Sequence, residues 1–167
     1  MKTIKKDITT IEKGVIISQV NCQNTMGSGL ARAIYEKWPA VKEKYHEFCS
    51  LNLTITPGLG DLNLLGEIQD VYVQFDPQIT VINVFGQLNY GNGARNGQRY
   101  TDYGALKSAF SQIRSKIIYG NYNDNESGEV LPFYIPKFLG AGLGAGDYKI
   151  IHRLIEYYLP NAVLVDY

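Results

Sequence analysis

Two glycine-rich segments of this chain have the composition of a phosphate-binding site. The first is Met26-Gly27-Ser28-Gly29, and the second spans residues 139–146 and contains Gly140, Gly142, Gly144 and Gly146. Because glycine has no Cβ, the backbone N–H groups of such segments can approach a phosphate closely. Each segment leads into a helical pattern, and a helix N-terminus adds partial positive charge. These residues therefore predict the binding of a phosphorylated ligand.

Three polar side chains stand next to the glycine segments. Asn21 ends an apolar run, and its carboxamide can bind sugar hydroxyls or close the loop as an Asx turn. Asp147 precedes a helical pattern, where it either caps the helix or activates a water molecule. Lys137 either attracts a diphosphate or is solvated. Asn21 and Asp147 are the candidate catalytic residues.

The elements that must position these residues follow from hydrophobic periodicity. Apolar, β-branched runs predict strands at residues 14–20, 79–85, 130–136 and 162–165. Helical patterns cover residues 30–38, 40–49, 102–119 and 148–159. Residues 54–75 alternate short β-like runs with turn signals at Pro57-Gly58, Gly60-Asp61 and Gly66. This alternation predicts an α/β fold with a largely parallel sheet between helices.

Loops at the carboxyl ends of parallel strands usually bind the ligand in such sheets. Residues 21–29, 86–101 and 137–147 each follow a predicted strand, so we expect these three loops to converge on one cleft. Residues 86–101 are polar and rich in glycine, which is typical of a functional loop.

Composition limits the class of protein. The 167 residues fit one domain, 1–167, and the formal net charge of +0 argues against a generally basic nucleic-acid surface. Cys22 and Cys49 form no metal-binding or disulfide pattern, which favours a reduced, cytoplasmic protein. The N-terminus lacks the apolar stretch of a signal peptide, and no apolar run is long enough to span a membrane. The oligomeric state stays open, with a monomer as the default.

The chain resembles the macro domain, the ADP-ribose-binding fold. The resemblance rests on Asp7-Ile8, on Asn21, on Met26-Gly27-Ser28-Gly29-Leu30-Ala31 and on residues 140–148. The first loop, the last loop and residues 83–87 and 99–103 are similar to one branch of that family. This branch contains the ADP-ribose 1″-phosphate phosphatases and the hydrolases that remove ADP-ribose from glutamate or DNA.

The resemblance implies a three-layer α/β/α sandwich around a central mixed, mostly parallel sheet. It implies that the first loop holds the distal ribose, that the second wraps the diphosphate and that Asp7 accepts a hydrogen bond from the adenine amino group. The ligand-binding residues that it implies are Asp7, Ile8, Cys22, Met26, Gly27, Ser28, Gly29, Leu30, Gln87, Lys137, Leu139, Gly140, Ala141, Gly142, Leu143, Gly144, Ala145 and Gly146. It implies no metal and no cofactor.

The sequence departs from this branch at two positions. De-ADP-ribosylating members carry a lysine just after the middle strand, and here that strand ends Phe85-Gly86-Gln87. Some also carry an aspartate at the position of Gly144. A Schiff-base mechanism with that lysine is therefore not supported, and attack by a positioned water remains.

The function expected from the resemblance is hydrolysis of an ADP-ribose derivative, first of all ADP-ribose 1″-phosphate to ADP-ribose and phosphate. In that reaction Asn21 would hold the distal ribose and Asp147 would activate water. The alternatives are removal of ADP-ribose from protein or DNA, and a non-catalytic module that binds ADP-ribose.

Overall fold

A computed structural model describes residues 1–52 and 62–167. Its strands are β1 (Lys2–Lys5), β2 (Gly14–Asn21), β3 (Ile68–Gln74), β4 (Ile79–Gln87), β5 (Phe133–Pro136) and β6 (Val163–Asp166). Its helices are α1 (Gly29–Lys37), α2 (Ala40–Leu51), α3 (Gly93–Asn96), α4 (Tyr103–Ile118) and α5 (Tyr148–Tyr158), and Ile8–Thr10 form a 3-10 turn. The predicted turns at Pro57-Gly58 and Gly60-Asp61 lie outside the described residues.

The strands form one sheet in the order β1-β6-β5-β2-β4-β3. All neighbouring pairs are parallel except β3 with β4, which is antiparallel. Two neighbouring interior strands, β2 and β4, have the most continuous apolar sequence. Nearly every residue of β2 and β4 is buried, as expected for strands that are covered on both faces. The mixed, mostly parallel sheet expected from the sequence is confirmed.

Alternation along β2 builds a core on each face of the sheet. Val15 and Ile17 pack with residues of α4 and α5, whereas Ile16 and Val20 pack with residues of α1 and α2. Each such buried aliphatic side chain contributes about 1.5–3 kcal/mol relative to its exposed state. Helices therefore cover both faces, and the three-layer α/β/α arrangement is confirmed.

Three elements differ from the sequence prediction. The edge strand β1 was not predicted, because its lysines and exposed positions give it no buried-strand pattern. The loop at residues 86–101 contains the one-turn helix α3. The strand predicted at residues 130–136 begins only at Phe133, since Val130 forms an isolated bridge with Asn123 and is half exposed. No helix in the described ranges is long and apolar enough to cross a membrane.

Candidate functional site

A cleft of about 570 Å³ crosses the carboxyl ends of β6, β5, β2 and β4. These are the strand ends at which α/β sheets bind ligands, and the volume lies within the range of small-molecule sites. One end, next to β6, is lined by residues 165–167. The other, next to β4, is lined by Gln87 and residues 90–92. We call these the β6 end and the β4 end. Three steps between strands separate them by about 14 Å.

Most of the predicted ligand-binding residues line this cleft. They are Asn21, Met26, Gly27, Ser28, Gly29, Leu30, Gln87, Leu139, Gly140, Gly142, Leu143 and Gly144. The predicted residues that lie outside the lining are Asp7, Ile8, Cys22, Lys137, Ala141, Ala145, Gly146 and Asp147. The two glycine loops do face one cavity, as the sequence predicted.

Asn21 organises the first loop, residues 21–29. Its Nδ2 donates to the backbone oxygen of Thr25 at 2.7 Å, and its Oδ1 accepts from the backbone N–H of Gln23 at 2.9 Å. Tyr45 of α2 donates its hydroxyl to Asn21 at 2.9–3.0 Å and accepts from the backbone N–H of Thr25 at 3.1 Å. Burial raises the pKa of this phenol, so it stays protonated. The Asx-turn role of Asn21 is therefore present, and Asn21 also lines the cleft.

Two further side chains fix the same loop. His46 Nδ1 lies 2.6 Å from Oδ1 of Asn24, a non-glycine residue with a φ of 55°. Burial, with Lys42 nearby, lowers the pKa of His46, so at neutral pH its Nδ1 donates as N–H of the neutral ring. Gln23 Nε2 donates to Asn89 Oδ1 at 2.7 Å. The loop is thus tied both to α2 and to the segment after β4.

The second loop, residues 139–146, is held mainly through its backbone. The Gly144 carbonyl accepts from the backbone N–H groups of Tyr100 at 2.9 Å and Thr101 at 3.0 Å. The Leu143 carbonyl accepts from the N–H of Gly93 at 2.8 Å. Within the loop, the N–H of Gly146 donates to the Gly140 carbonyl at 2.8 Å. The segment after β4, residues 88–101, is therefore hydrogen-bonded directly to the second loop, which is the candidate phosphate-binding loop.

Polar side chains beneath the cleft join the strands to this second loop. Gln19 Nε2 donates to Gln87 Oε1 at 2.8 Å and to Thr101 Oγ1 at 3.0 Å. Thr101 Oγ1 in turn donates to the Gly140 carbonyl at 2.6 Å. Gln19 follows Ser18 in the polar second half of β2, after the apolar run at residues 15–17, and this change of residue type was the available sequence signal for a site residue that was not predicted.

Gly144 has no room for a side chain. A Cβ there would lie 2.9 Å from the Gly140 carbonyl oxygen and closer still to Thr101 Oγ1. Real Cβ atoms do not approach other atoms so closely. The aspartate found at this position in some relatives of the resembled branch therefore cannot be accommodated while Thr101 keeps its place.

Gly27 and Gly142 differ from the other glycines that the structure describes. A Cβ at either position would meet no atom within 4 Å, and neither residue has a positive φ. Neither protein packing nor backbone conformation therefore requires glycine at these positions. Both line the cleft, one from each loop. The space that their missing side chains leave is space that a ligand can occupy.

Asp147 caps a helix. Its Oδ1 accepts from the backbone N–H of Lys149 at 2.7 Å, in the first turn of α5, and its own N–H donates to the Tyr103 hydroxyl at 2.7 Å. The residue lies outside the cleft lining. The capping role that the sequence left open is therefore present, and the catalytic role stays a prediction.

The predicted adenine-binding pair lies beyond the β6 end. Asp7 Oδ1 accepts from the backbone N–H of Thr9 at 2.9 Å and from its hydroxyl at 2.8 Å, and these bonds lower the pKa of Asp7. Ile8 is a core residue with 1% exposure, so its side chain packs inside the protein, and its role in ligand binding stays a prediction. Partial burial, and secondly the charge of the nearby exposed Asp7, raises the pKa of the Tyr167 phenol.

The other predicted residues outside the lining have structural partners. Lys137 Nζ donates to Asp166 Oδ2 at 2.8 Å, which raises the pKa of Lys137. Asp166 lines the cleft, so this pair puts a partly neutralised carboxylate at the β6 end. Cys22, within the first loop, is buried, and its backbone N–H donates to the Gln87 carbonyl.

Several lining residues were missed. They are Ser18, Gln19, Val20, Thr25, Ala31, Tyr90, Gly91, Asn92, Pro136, Phe138, Val165, Asp166 and Tyr167. A strand was predicted at residues 162–165, and the rule that ligands bind at the carboxyl ends of strands would also have included the residues at its end. Residues 90–92 belong to the loop predicted to be functional. Nothing in its sequence indicates which of its side chains face the cleft.

No protein-family model and no curated protein sequence matches this chain. Solved structures do match. A protein of unknown function from Bacteroides thetaiotaomicron is 24% identical, with 98% of this chain and 95% of that chain covered and a TM-score of 0.75. A macrodomain protein from Streptomyces coelicolor is 20% identical, with 99% and 98% covered and a TM-score of 0.71.

A third structure contains a ligand. It is Thermosipho africanus DarTG in complex with ADP-ribose, which is 16% identical to this chain. The match covers 98% of this chain and 40% of that one, with a TM-score of 0.71. At these identities the likeness concerns the fold, and it shows that this chain has the macrodomain fold.

Proposed function

We propose that this protein binds ADP-ribose in the cleft between its two glycine loops. The observation that carries the proposal is the open space beside Gly27 and Gly142, for which the protein itself gives no reason. Backbone N–H groups of glycine loops suit a diphosphate. A structure of the same fold, Thermosipho africanus DarTG, is in complex with ADP-ribose.

The ligand would cross the sheet from β6 to β4. Adenine would lie at the β6 end, near Asp7 and Tyr167, and the diphosphate would lie between the glycine loops. The distal ribose would lie at the β4 end, beside Asn21. Asn21 Nδ2 uses one N–H on Thr25, so its second N–H is available to a ribose hydroxyl.

Isothermal titration calorimetry with ADP-ribose tests the proposal. We expect the wild-type protein to bind, and we expect Gly27→Ala and Gly142→Ala each to weaken binding by about tenfold or more, or 1.4 kcal/mol. The melting temperature should not fall in either variant, since the new methyl group meets no protein atom.

Gly104→Ala is the control for binding, because Gly104 has an ordinary φ and lies outside the cleft lining; its new methyl group would meet only Asp102 Oδ1, at 3.2 Å. This variant should bind ADP-ribose as the wild type does. If the wild-type protein does not bind ADP-ribose, the proposed function is wrong. If it binds but both glycine variants bind equally well, the ligand lies elsewhere.

A second candidate is hydrolysis of an ADP-ribose derivative, with ADP-ribose 1″-phosphate as the first substrate to try. Asn21 supports it, since a carboxamide with an available N–H at the β4 end can position a water molecule or the ribose. The carboxylate proposed for water activation is Asp147. Removal of ADP-ribose from protein or DNA uses the same end of the cleft.

Asp147→Asn separates capping from catalysis. Asparagine caps helices as well as aspartate does, but it is not a general base. Phosphate release from ADP-ribose 1″-phosphate should fall at least a hundredfold if Asp147 activates water, and should be unchanged if it only caps α5. ADP-ribosylated glutamate peptides and ADP-ribosylated DNA complete the substrate panel. Binding of ADP-ribose without turnover of any substrate would identify a non-catalytic binding module.

A further inference from the structure

The segment after β4 contributes an aromatic ring to the β4 end of the cleft. Tyr90, Gly91 and Asn92 all line the cavity, and Tyr90 keeps 56% of its surface exposed. Exposure of a large aromatic side chain at the end of a cleft offers contact area to a ligand. A tyrosine has only two side-chain torsions to fix, so such a contact costs little conformational entropy.

Side-chain hydrogen bonds hold the start of this segment. Gln87 Nε2 donates to the Asn89 carbonyl at 2.8 Å. Gln23, from the first loop, donates its Nε2 to Asn89 Oδ1 at 2.7 Å and to the Leu88 carbonyl at 3.3 Å. The backbone on the N-terminal side of Tyr90 is therefore fixed to β4 and to the first loop.

Packing holds the other side of Tyr90. Gly91 lies so close to the Tyr100 ring that no Cβ would fit there. Asn92 Oδ1 accepts from the backbone N–H of Arg95 at 3.1 Å and caps α3. The N–H of Gly93 then donates to the Leu143 carbonyl of the second loop at 2.8 Å. Tyr90 is thus presented from a segment that is anchored on both sides.

The position of Tyr90 relative to the sheet indicates what it contacts. It lies at the β4 end, about 14 Å across the strands from the residues at the β6 end. A nucleoside diphosphate with its base at the β6 end and its phosphates between the glycine loops reaches the β4 end only if it carries a further sugar.

We propose, on the basis of the proposed function, that Tyr90 is the residue by which the cleft distinguishes ADP-ribose from ADP. Its ring packs against the distal ribose. Gln23 acts as a positioning residue, because its bonds to Asn89 and Leu88 set the direction of the segment that carries Tyr90.

Calorimetry with ADP-ribose and with ADP tests the assignment. Tyr90→Ala should weaken ADP-ribose binding by about two- to tenfold, the usual value of an aromatic contact. The same variant should leave ADP binding unchanged, since ADP does not reach the β4 end. Tyr90→Phe keeps the ring and should retain the preference for ADP-ribose.

Two further variants test the positioning role. Gln23→Ala should reduce the ADP-ribose to ADP preference in the same direction as Tyr90→Ala. Asn89→Asp should retain the preference, because a carboxylate still accepts from Gln23 Nε2. Tyr119→Ala, an exposed tyrosine outside the cleft lining, is the control and should bind both ligands as the wild type does.

The outcomes distinguish this inference from the function on which it rests. If the wild-type protein binds neither ligand, the proposed function and the inference are both wrong. If the wild type prefers ADP-ribose but Tyr90→Ala keeps the full preference, only the inference is wrong. Equal weakening of ADP and ADP-ribose in Tyr90→Ala would likewise overturn it, because that result indicates a general effect on the cleft.

Discussion

The two glycine loops that face each other across the cleft are held by different kinds of interaction. Side chains hold the first loop, residues 21–29: Asn21 bridges it internally, and Tyr45 and His46 of α2 fix it from outside. Backbone hydrogen bonds hold the second, residues 139–146, and its glycines pack where no side chain fits.

This difference means that the two loops are sensitive to opposite changes. The first loop should be disturbed by removing a supporting side chain, even one that lies far from it in the sequence. The second should be disturbed by adding a side chain within the loop itself. Each loop nevertheless contains one glycine, Gly27 or Gly142, that faces open space. In each loop, the contacts that hold the loop in place therefore do not require glycine at the position that faces open space.

The largest effect on stability should come from Gly144→Ala. The new methyl group would collide with Thr101 Oγ1 and the Gly140 carbonyl, and overpacking of this kind costs about 1–3 kcal/mol. The free energy of unfolding, measured by urea denaturation, should fall by this amount. Gly142→Ala in the same loop should not lower it. Equal stability of the two variants would show that packing does not fix the second loop.

Tyr45→Phe should have the next largest effect. The hydroxyl is buried and serves both Asn21 and the backbone N–H of Thr25, so its loss leaves buried polar groups without a partner at a cost of about 1–3 kcal/mol. Tyr119→Phe, at an exposed position, is the control. Urea denaturation measures the difference. If Tyr45→Phe is as stable as the wild type, the hydroxyl of Tyr45 does not support the first loop.

Asp147→Ala should cost about 1 kcal/mol of stability, the usual value of a helix N-cap. Asp147→Asn should cost nearly nothing. Thermal denaturation of the two variants compares them. A full loss in the asparagine variant as well would show that the charge of Asp147, and not its capping oxygen, stabilises the end of the second loop.

His46→Ala should have the smallest effect. It removes one half-buried hydrogen bond, to Asn24 Oδ1, worth about 0.5–1.5 kcal/mol. Asn24→Gly provides the comparison, because glycine adopts the positive φ of this residue without help from His46. In the Asn24→Gly background, His46→Ala should therefore change stability by much less. An undiminished effect there would mean that His46 stabilises α2 rather than the loop.

Much of the fold could be read from the sequence because its signals are local. The apolar runs of β2 and β4 and the stripe of Leu106, Phe110 and Ile113 on α4 are patterns within one element. The edge strand β1 could not be read, since exposed lysines hide its pairing with β6. The late start of β5 could not be read either, because the apolar run at residues 130–136 does not show that Val130 pairs with Asn123 instead of continuing the strand.

The candidate site, like the fold, was predictable only in part from the sequence. Glycines that open a loop are visible in the sequence, and both loops do line one cleft. The sequence does not show which glycines leave open space in the cleft, because Gly142 and Gly144 have similar neighbours in the chain. The positions of Thr101 and of the Gly140 carbonyl separate the buried Gly144 from the open Gly142.

By itself, the sequence determined most of the strands and helices other than β1 and α3, the two glycine loops and Asn21 at the end of β2, since periodicity and residue type carry this information. Only the tertiary structure decided that Asp147 caps α5 outside the cleft lining, that Tyr45 and His46 support the first loop and that Tyr90 stands at the β4 end. The cap itself is a local contact, but the support by Tyr45 and His46 and the placement of Tyr90 depend on contacts between residues far apart in the chain. Such contacts form when the strands align their carboxyl ends, and no local pattern encodes them.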